Sequence, residues 1–139
     1  MPYNVLIVDD SAIMRALIRK VLVFSGFEMG ESYEGAHGRE ALEILASHRV
    51  DLILSDLNMP VMDGIALIKA LQADTRQAHI PLVLISTEGR PDILDPLLHQ
   101  GVRGYIQKPF RPEAIRAMLG KIMGEASLHH AQDLAGCDF

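Results

Sequence analysis

The chain holds one cysteine, Cys137, in 139 residues. A lone thiol excludes an internal disulfide and suits a reducing, cytoplasmic setting. No apolar run reaches the roughly 18–20 residues that a membrane-spanning helix needs. The first residues carry neither the basic start nor the cleavage site of a secretory signal, so neither export nor membrane insertion is expected. Basic residues are in the minority: 13 Lys and Arg against 18 Asp and Glu leave a formal net charge of -5. With no Lys/Arg stripe, that balance argues against a nucleic-acid partner. The 6 histidines show no metal-ligand spacing, and His129-His130 reads as solvated tail. Internal repeats, low-complexity tracts and interdomain linkers are also missing.

What remains is ordinary in bulk, 49% hydrophobic and 22% charged, and long enough for one domain with a proper core. Strand-length apolar runs alternate with amphipathic stretches of helical period. Strands are expected near 3–8, 27–34, 51–55, 81–86 and 104–107, and helices near 12–24, 38–47, 64–73 and 112–123. Ser11 is the expected N-cap of the first helix and Gly26 its stop. The segment 27–34 carries three glutamates, which places it at a sheet edge where water reaches them. Three runs, 5–8, 52–54 and 82–85, are unbroken Val, Ile and Leu. Strands buried on both faces have that composition, so the expected architecture is a doubly wound α/β domain: a five-stranded parallel sheet with helices on both faces. Pro96 disturbs the region before the fifth strand. A proline in a helix interior costs roughly 3 kcal/mol, whereas one at the first helical position is tolerated. A short helix beginning at Asp95-Pro96 and stopping at Gly101 is therefore expected, preceded by an extended loop over 89–94.

The polar residues that punctuate these runs are unusual in combination. Asp9 and Asp10 end the first strand. Asp56 ends the third, followed by Leu57-Asn58-Met59-Pro60-Val61-Met62-Asp63-Gly64. Ser86 ends the fourth, with Thr87 beside it, and Lys108-Pro109 follows the fifth. Alone, each has a bland explanation as a helix cap or a loop residue. Together they stand at the carboxyl ends of strands, where doubly wound sheets bind ligands. With the first and third strands adjacent, Asp9, Asp10 and Asp56 converge and repel one another. A hard divalent cation relieves that repulsion, and oxygen-only donors favour magnesium, with the Asn58 backbone carbonyl as a further ligand. Lys108 adds a second positive charge, Ser86 offers a hydroxyl, and a cis Lys108–Pro109 bond would set where the ammonium points. The set suits a magnesium ion and a phosphoryl group. Met59, Met62, Met118 and Met123 read as packing residues.

The order Asp9-Asp10, Asp56 through Gly64, Ser86 and Lys108-Pro109-Phe110 resembles the receiver domain of two-component response regulators, over nearly the whole chain. Asn58, Glu88 and the block Gly104-Tyr105-Ile106-Gln107-Lys108-Pro109-Phe110 resemble single-domain chemotaxis receivers in particular. The resemblance implies a flavodoxin-like strand order of 2-1-3-4-5 and a receiver domain over 1–124. The remaining 125–139 reads as a flexible tail, with a brief amphipathic turn of Ser127, Leu128, Ala131 and Leu134, docked on the domain or on a partner, as the alternative. It implies that Asp56 is the phosphoacceptor and that Asp9, Asp10 and Asp56 hold magnesium. Ser86 becomes the switch hydroxyl, Tyr105 the switch aromatic and Lys108 the phosphoryl-binding lysine, while Asn58 and Glu88 govern access of the hydrolytic water. The donor is a histidine kinase or phosphotransfer protein. The output is a protein target or phosphatase engaged by the fourth helix, fifth strand and fifth helix, with the chain a monomer or a phosphorylation-linked dimer. Such a protein catalyses only its own phosphorylation and dephosphorylation. Against the family pattern, 27–38 is about two residues longer than usual, which unsettles the register of the second strand.

A receiver cut from a longer regulator has the same sequence signature, so both readings stand. Other rivals fit less well. A magnesium-dependent phosphohydrolase with an aspartate nucleophile carries an acid two residues after it, where this chain has Asn58 after Asp56 and Ser11 after Asp9. A flavin-binding domain needs a Ser/Thr/Gly-rich phosphate loop where Asp9-Asp10 stand. An unphosphorylated receiver-like module has no need of the complete acidic set.

Overall fold

The computed structural model describes residues 2–124 together with Leu128. Five strands alternate with five helices: β1 (Tyr3–Val8), α1 (Ala12–Phe24), β2 (Met29–Gly35), α2 (Gly38–Ser47), β3 (Leu52–Ser55), α3 (Gly64–Ala73), β4 (Leu82–Ser86), α4 (Pro91–Leu98), β5 (Val102–Gln107) and α5 (Pro112–Met123). All pairings are parallel and the order is β2-β1-β3-β4-β5. The doubly wound sheet expected from the buried apolar runs is therefore present.

Alternation along the central strands sends side chains to two cores. Leu6, Val8, Ile53, Leu82 and Leu84 pack with Ala41 and Leu45 of α2, Leu67, Ile68 and Leu71 of α3, and Leu94 and Leu97 of α4. Val5, Ile7, Leu52, Leu54, Val83 and Ile85 face the other way, onto Ile18, Val21 and Leu22 of α1 and Ile115 and Leu119 of α5. Met118 and Met123 pack on this second core and Met59 on the first. Burial on both faces is why these strands contain no polar alternation.

Local chemistry sets the element ends. The Ser11 side chain accepts from the Met14 N–H and caps α1, as expected. After α1, Gly26 takes φ 81°, and the Phe27 N–H turns back to the Leu22 carbonyl at 3.3 Å, so β2 begins later than the expected 27. One extra residue of this segment is taken up by a bulge. Tyr3 pairs with Met29 but Val5 with Ser32, so two steps along β1 match three along β2. Asn4 fills the gap: its side-chain oxygen accepts from the Glu31 N–H at 3.0 Å, its own N–H donates to Asp51 Oδ2 at 2.8 Å, and its amide nitrogen donates to the Arg49 carbonyl at 3.1 Å. As expected, β2 is an edge strand.

The expectation for α4 is corrected. The helix begins at Pro91, not at Asp95-Pro96; Asp95 lies inside it rather than capping it, and 89–94 is not an extended loop. Pro91 occupies the first helical position, where its missing N–H costs nothing. The Ile93 and Leu94 N–H groups both reach the Arg90 carbonyl at 3.1 Å, and Pro96 removes one bond, to the Asp92 carbonyl, from a helix of 8 residues. Burial of Leu94 and Leu97, one turn apart, outweighs that loss. The last turn tightens, with His99 N–H to the Pro96 carbonyl at 3.2 Å and Gln100 N–H to the Leu97 carbonyl at 2.9 Å. The chain then leaves through Gly101 at φ 92°.

Leu128 forms an antiparallel bridge with Phe27 and packs on the α1–α5 core. The rest of the expected tail, with Ser127, His129, His130, Ala131, Leu134 and Cys137, lies outside the described residues. Among the described residues, no helix is long and apolar enough to cross a membrane.

Candidate functional site: an acidic cluster with one lysine

Because β1 and β3 are neighbours with Val8 opposite Ser55, the chain delivers Asp9 and Asp56 side by side. The Asp56 N–H donates to the Val8 carbonyl at 2.8 Å and the Asp9 N–H to the Gly35 carbonyl at 3.0 Å. Asp9, Asp10 and Asp56 each offer a carboxylate oxygen, and these three atoms lie within 4.8 Å of one another. Asp9 is 2% exposed and Asp10 is exposed, so the cluster runs from the interior to solvent.

Each of the two inner carboxylates spends one oxygen on the backbone and turns the other to Lys108. Asp9 Oδ1 accepts from the Ser11 N–H at 2.9 Å and Asp56 Oδ1 from the Leu57 N–H at 2.7 Å. Lys108 Nζ stands 2.8 Å from Asp9 Oδ2 and 3.6 Å from Asp56 Oδ2. Its backbone is fixed by donation to the Ser86 carbonyl at 2.7 Å and by a cis bond to Pro109. Three carboxylates and one ammonium leave two uncompensated negative charges on an all-oxygen donor set. A magnesium ion matches both charge and donor type, so the residues present fit the metal their pattern predicts.

The loop behind Asp56 is built tightly. Ser55 Oγ donates to the Asp56 carbonyl at 2.8 Å and the Gly64 N–H to the Leu57 carbonyl at 2.8 Å. A Cβ at Gly64 would sit 2.6 Å from the Asp56 carbonyl oxygen, so only glycine lets α3 start this close. Asn58 is on the exposed side of the loop. Val61 takes φ 66°, in a γ-turn closed by the Met62 N–H and the Pro60 carbonyl at 2.7 Å, with its side chain 79% exposed. Left-handed backbone costs an L residue roughly 1–2 kcal/mol, and glycine returns roughly 0.5–1 kcal/mol of that as chain entropy. Val61→Gly should therefore raise the urea midpoint, by up to about 1 kcal/mol of stability; a lower midpoint would show that the valine side chain contributes packing.

On the far side, Ser86 at the end of β4 is buried and Thr87 beside it is exposed. Ser86 Oγ accepts from the Glu88 N–H at 3.2 Å. Tyr105, opposite Leu84, is half-buried against the α2–α3–α4 core rather than fully exposed on its edge strand.

Residues 5–120 match the family described as the response regulator receiver domain. The chain belongs to this family. Chemotaxis protein CheY1 of Helicobacter pylori is 39% identical over 122 residues, covering 87% of this chain and 97% of that one. Chemotaxis protein CheY of Pseudomonas aeruginosa is 36% identical over 119 residues, covering 86% and 94%. Among solved structures, chemotaxis response regulator CheY4 of Vibrio cholerae superposes with a TM-score of 0.77 at 33% identity, covering 87% of this chain and 98% of that one. The fold and the acidic pocket are thus those of a receiver of the kind found in chemotaxis regulators, a family that binds magnesium at such a pocket and is not a conventional enzyme class.

Two arginines of this receiver escaped the sequence argument. Arg15 donates from Nη1 to the Asp9 carbonyl at 2.6 Å and from Nε to Glu34 Oε1 at 2.8 Å, tying the acidic end of β1 to β2. Only the β1–β2 register brings Glu34 within its reach. Arg90 grips Glu88 two residues away, a spacing at which helical side chains do not face each other. Its guanidinium, then its backbone N–H, hold the Glu88 carboxyl from an ordinary 4.5 down to about 2. A depressed folded-state value stabilises the fold above pH 4.5 and loses that effect as pH falls toward about 2. In an NMR titration Glu88 should have its midpoint near 2, and Arg90→Ala should return it toward 4.5; an unchanged midpoint would place the cause elsewhere.

Proposed function

We propose that this receiver accepts a phosphoryl group on Asp56 from a phosphohistidine donor and uses it to control a protein partner in a chemotaxis-type pathway. The observation that carries this is Lys108 Nζ bridging Asp9 and Asp56 within a three-carboxylate cluster at the carboxyl edge of the sheet. An Asp56 carboxylate oxygen attacks phosphorus and the P–N bond to the donor imidazole breaks. The electron pair stays on the ring nitrogen, which is then protonated, and an acyl phosphate remains on Asp56. Asp9, Asp10 and Asp56, with the Asn58 carbonyl, would hold magnesium, whose bound charge offsets that of the phosphoryl oxygens. Lys108 exchanges its carboxylate contact for a phosphoryl oxygen, and Ser86 turns its hydroxyl to another.

These contacts exist only with the phosphoryl group present, so they favour whichever arrangement makes them best. Moving Ser86 toward the phosphoryl group breaks its bond with the Glu88 N–H and opens space beside β4, into which the half-buried Tyr105 turns. The face formed by α4, β5 and α5 changes shape as a result. The positions of Asn58 and Glu88 flank the acyl phosphate, and whether each side chain is turned toward it governs water access. The donor is a histidine kinase or phosphotransfer protein, and the output a protein target or phosphatase. The protein works in the cytoplasm, as a monomer or a phosphorylation-linked dimer. Its receiver domain spans 1–124, followed by the tail 125–139. Incubation with acetyl phosphate and magnesium should add one phosphoryl mass, and chelation of the metal should prevent it. A protein that stays unmodified with magnesium present would refute the assignment.

A further inference from the structure

On the basis of this phosphoryl chemistry, we propose that Arg90 is a positioning residue that prolongs the life of the acyl phosphate by holding the Glu88 carboxylate away from it. Glu88 is one hydrogen bond from the buried hydroxyl assigned above to a phosphoryl oxygen, through its N–H to Ser86 Oγ at 3.2 Å. Its carboxylate, however, stands outside the acidic cluster. Oε2 accepts from Arg90 Nε at 3.0 Å, from the Arg90 N–H at 3.1 Å and from the Gly89 N–H at 3.2 Å, while Oε1 accepts from Arg90 Nη2 at 2.9 Å. Four donors from two consecutive residues fold the side chain back onto the start of α4.

An exposed ion pair alone rarely fixes a geometry, because both side chains lose rotamer freedom to keep it. Two of these four donors are backbone groups, which lose none. The Gln107 side chain lies against Gly89 and donates from its amide nitrogen to the Thr87 carbonyl at 3.3 Å. The Glu88 side chain is 14% exposed and that of Arg90 69%, so the guanidinium closes the fork from the solvent side. The two-pronged geometry is specific to arginine; a lysine supplies charge without the fork.

The consequence concerns hydrolysis. A water oxygen bonds to phosphorus, the P–O bond to Asp56 breaks, and its electron pair returns to the Asp56 carboxylate. The proton released by water needs an acceptor. A carboxylate loose on the β4–α4 loop can orient that water and take its proton. In the fork, both Glu88 oxygens are occupied and the side chain is turned away, so the proton passes to solvent by a slower route.

The test loads the full chain with acetyl phosphate and magnesium, removes the donor, and follows phosphoryl loss by intact mass. Arg90→Ala should lose its phosphoryl group about fivefold faster than wild type, a small part of the ~10²–10⁴ that a fully placed base supplies. Arg90→Lys should fall between the two. Glu88→Gln combined with Arg90→Ala should return close to the wild-type rate, because the freed carboxylate is then gone. An Arg90→Ala rate equal to or below wild type overturns the proposal. A double variant as fast as Arg90→Ala also overturns it, since the effect would then come from loop loosening. Wild type that never loads would instead sink the phosphoacceptor assignment beneath it.

Discussion

Asp56→Asn should take up no phosphoryl group from acetyl phosphate and magnesium under conditions where wild type gains one, and its metal-free form should be the more stable of the two. The first effect follows from chemistry: an amide oxygen is a poor nucleophile and forms no acyl phosphate. The second follows from the charge arrangement. Asp56 shares its site with two other carboxylates and with one ammonium, 3.6 Å from its Oδ2. Neutralising it removes two repulsions and one attraction. With the site open to water through Asp10, the net gain is about 1 kcal/mol. Urea unfolding in EDTA measures it, and magnesium should stabilise the variant less than wild type, because one anionic ligand is missing. A phosphoryl adduct that persists in Asp56→Asn would put the acceptor on another side chain. A variant less stable than wild type in EDTA would mean that the three acids do not repel as their spacing requires.

Much of the fold was legible in the sequence for a physical reason. Strands covered on both faces have no use for polar residues, so 5–8, 52–54 and 82–85 announced a sheet with helices on each side, and the acids and lysine marked its carboxyl edge. The glutamates of 27–34 announced an edge strand. What was not legible depended on tertiary context. The start of β2 shifted because Gly26 and Phe27 are used to close α1, and one surplus residue went into a bulge where the Asn4 side chain takes up the Glu31 N–H. The α4 start does not fall at Pro96, the stronger helix-breaking signal, because Pro91 stands at the first helical position and Pro96 is accommodated inside the helix. The burial of Leu94 and Leu97 that decides the matter belongs to packing against the sheet. At the site, the acids, hydroxyl and lysine were visible as residue types at strand ends. The arginines were not, because Arg15 acts across a strand register and Arg90 across a loop.

Lys108→Met tests the other half of the electrostatic argument, and here stability should fall. Lys108 is the cation that the structure places against the interior carboxylates, 2.8 Å from an Asp9 side chain that is 2% exposed. Removing one partner of a buried pair typically costs 3–5 kcal/mol, because the remaining charge keeps its desolvation penalty without compensation. Part of this cluster is open to water, so a loss of about 2–3 kcal/mol is expected in EDTA. Methionine keeps the length and apolar stem, which limits any packing contribution. The variant also has three uncompensated carboxylates where wild type has two, so a divalent cation should bind it more tightly. Titrating magnesium into both proteins during urea unfolding should therefore narrow the gap between them. If the variant matches wild type in EDTA, the ammonium does not compensate the acids. If magnesium widens the gap, the lysine helps to hold the cation rather than opposing it, and the assignment of two unmatched charges to the wild-type site is wrong.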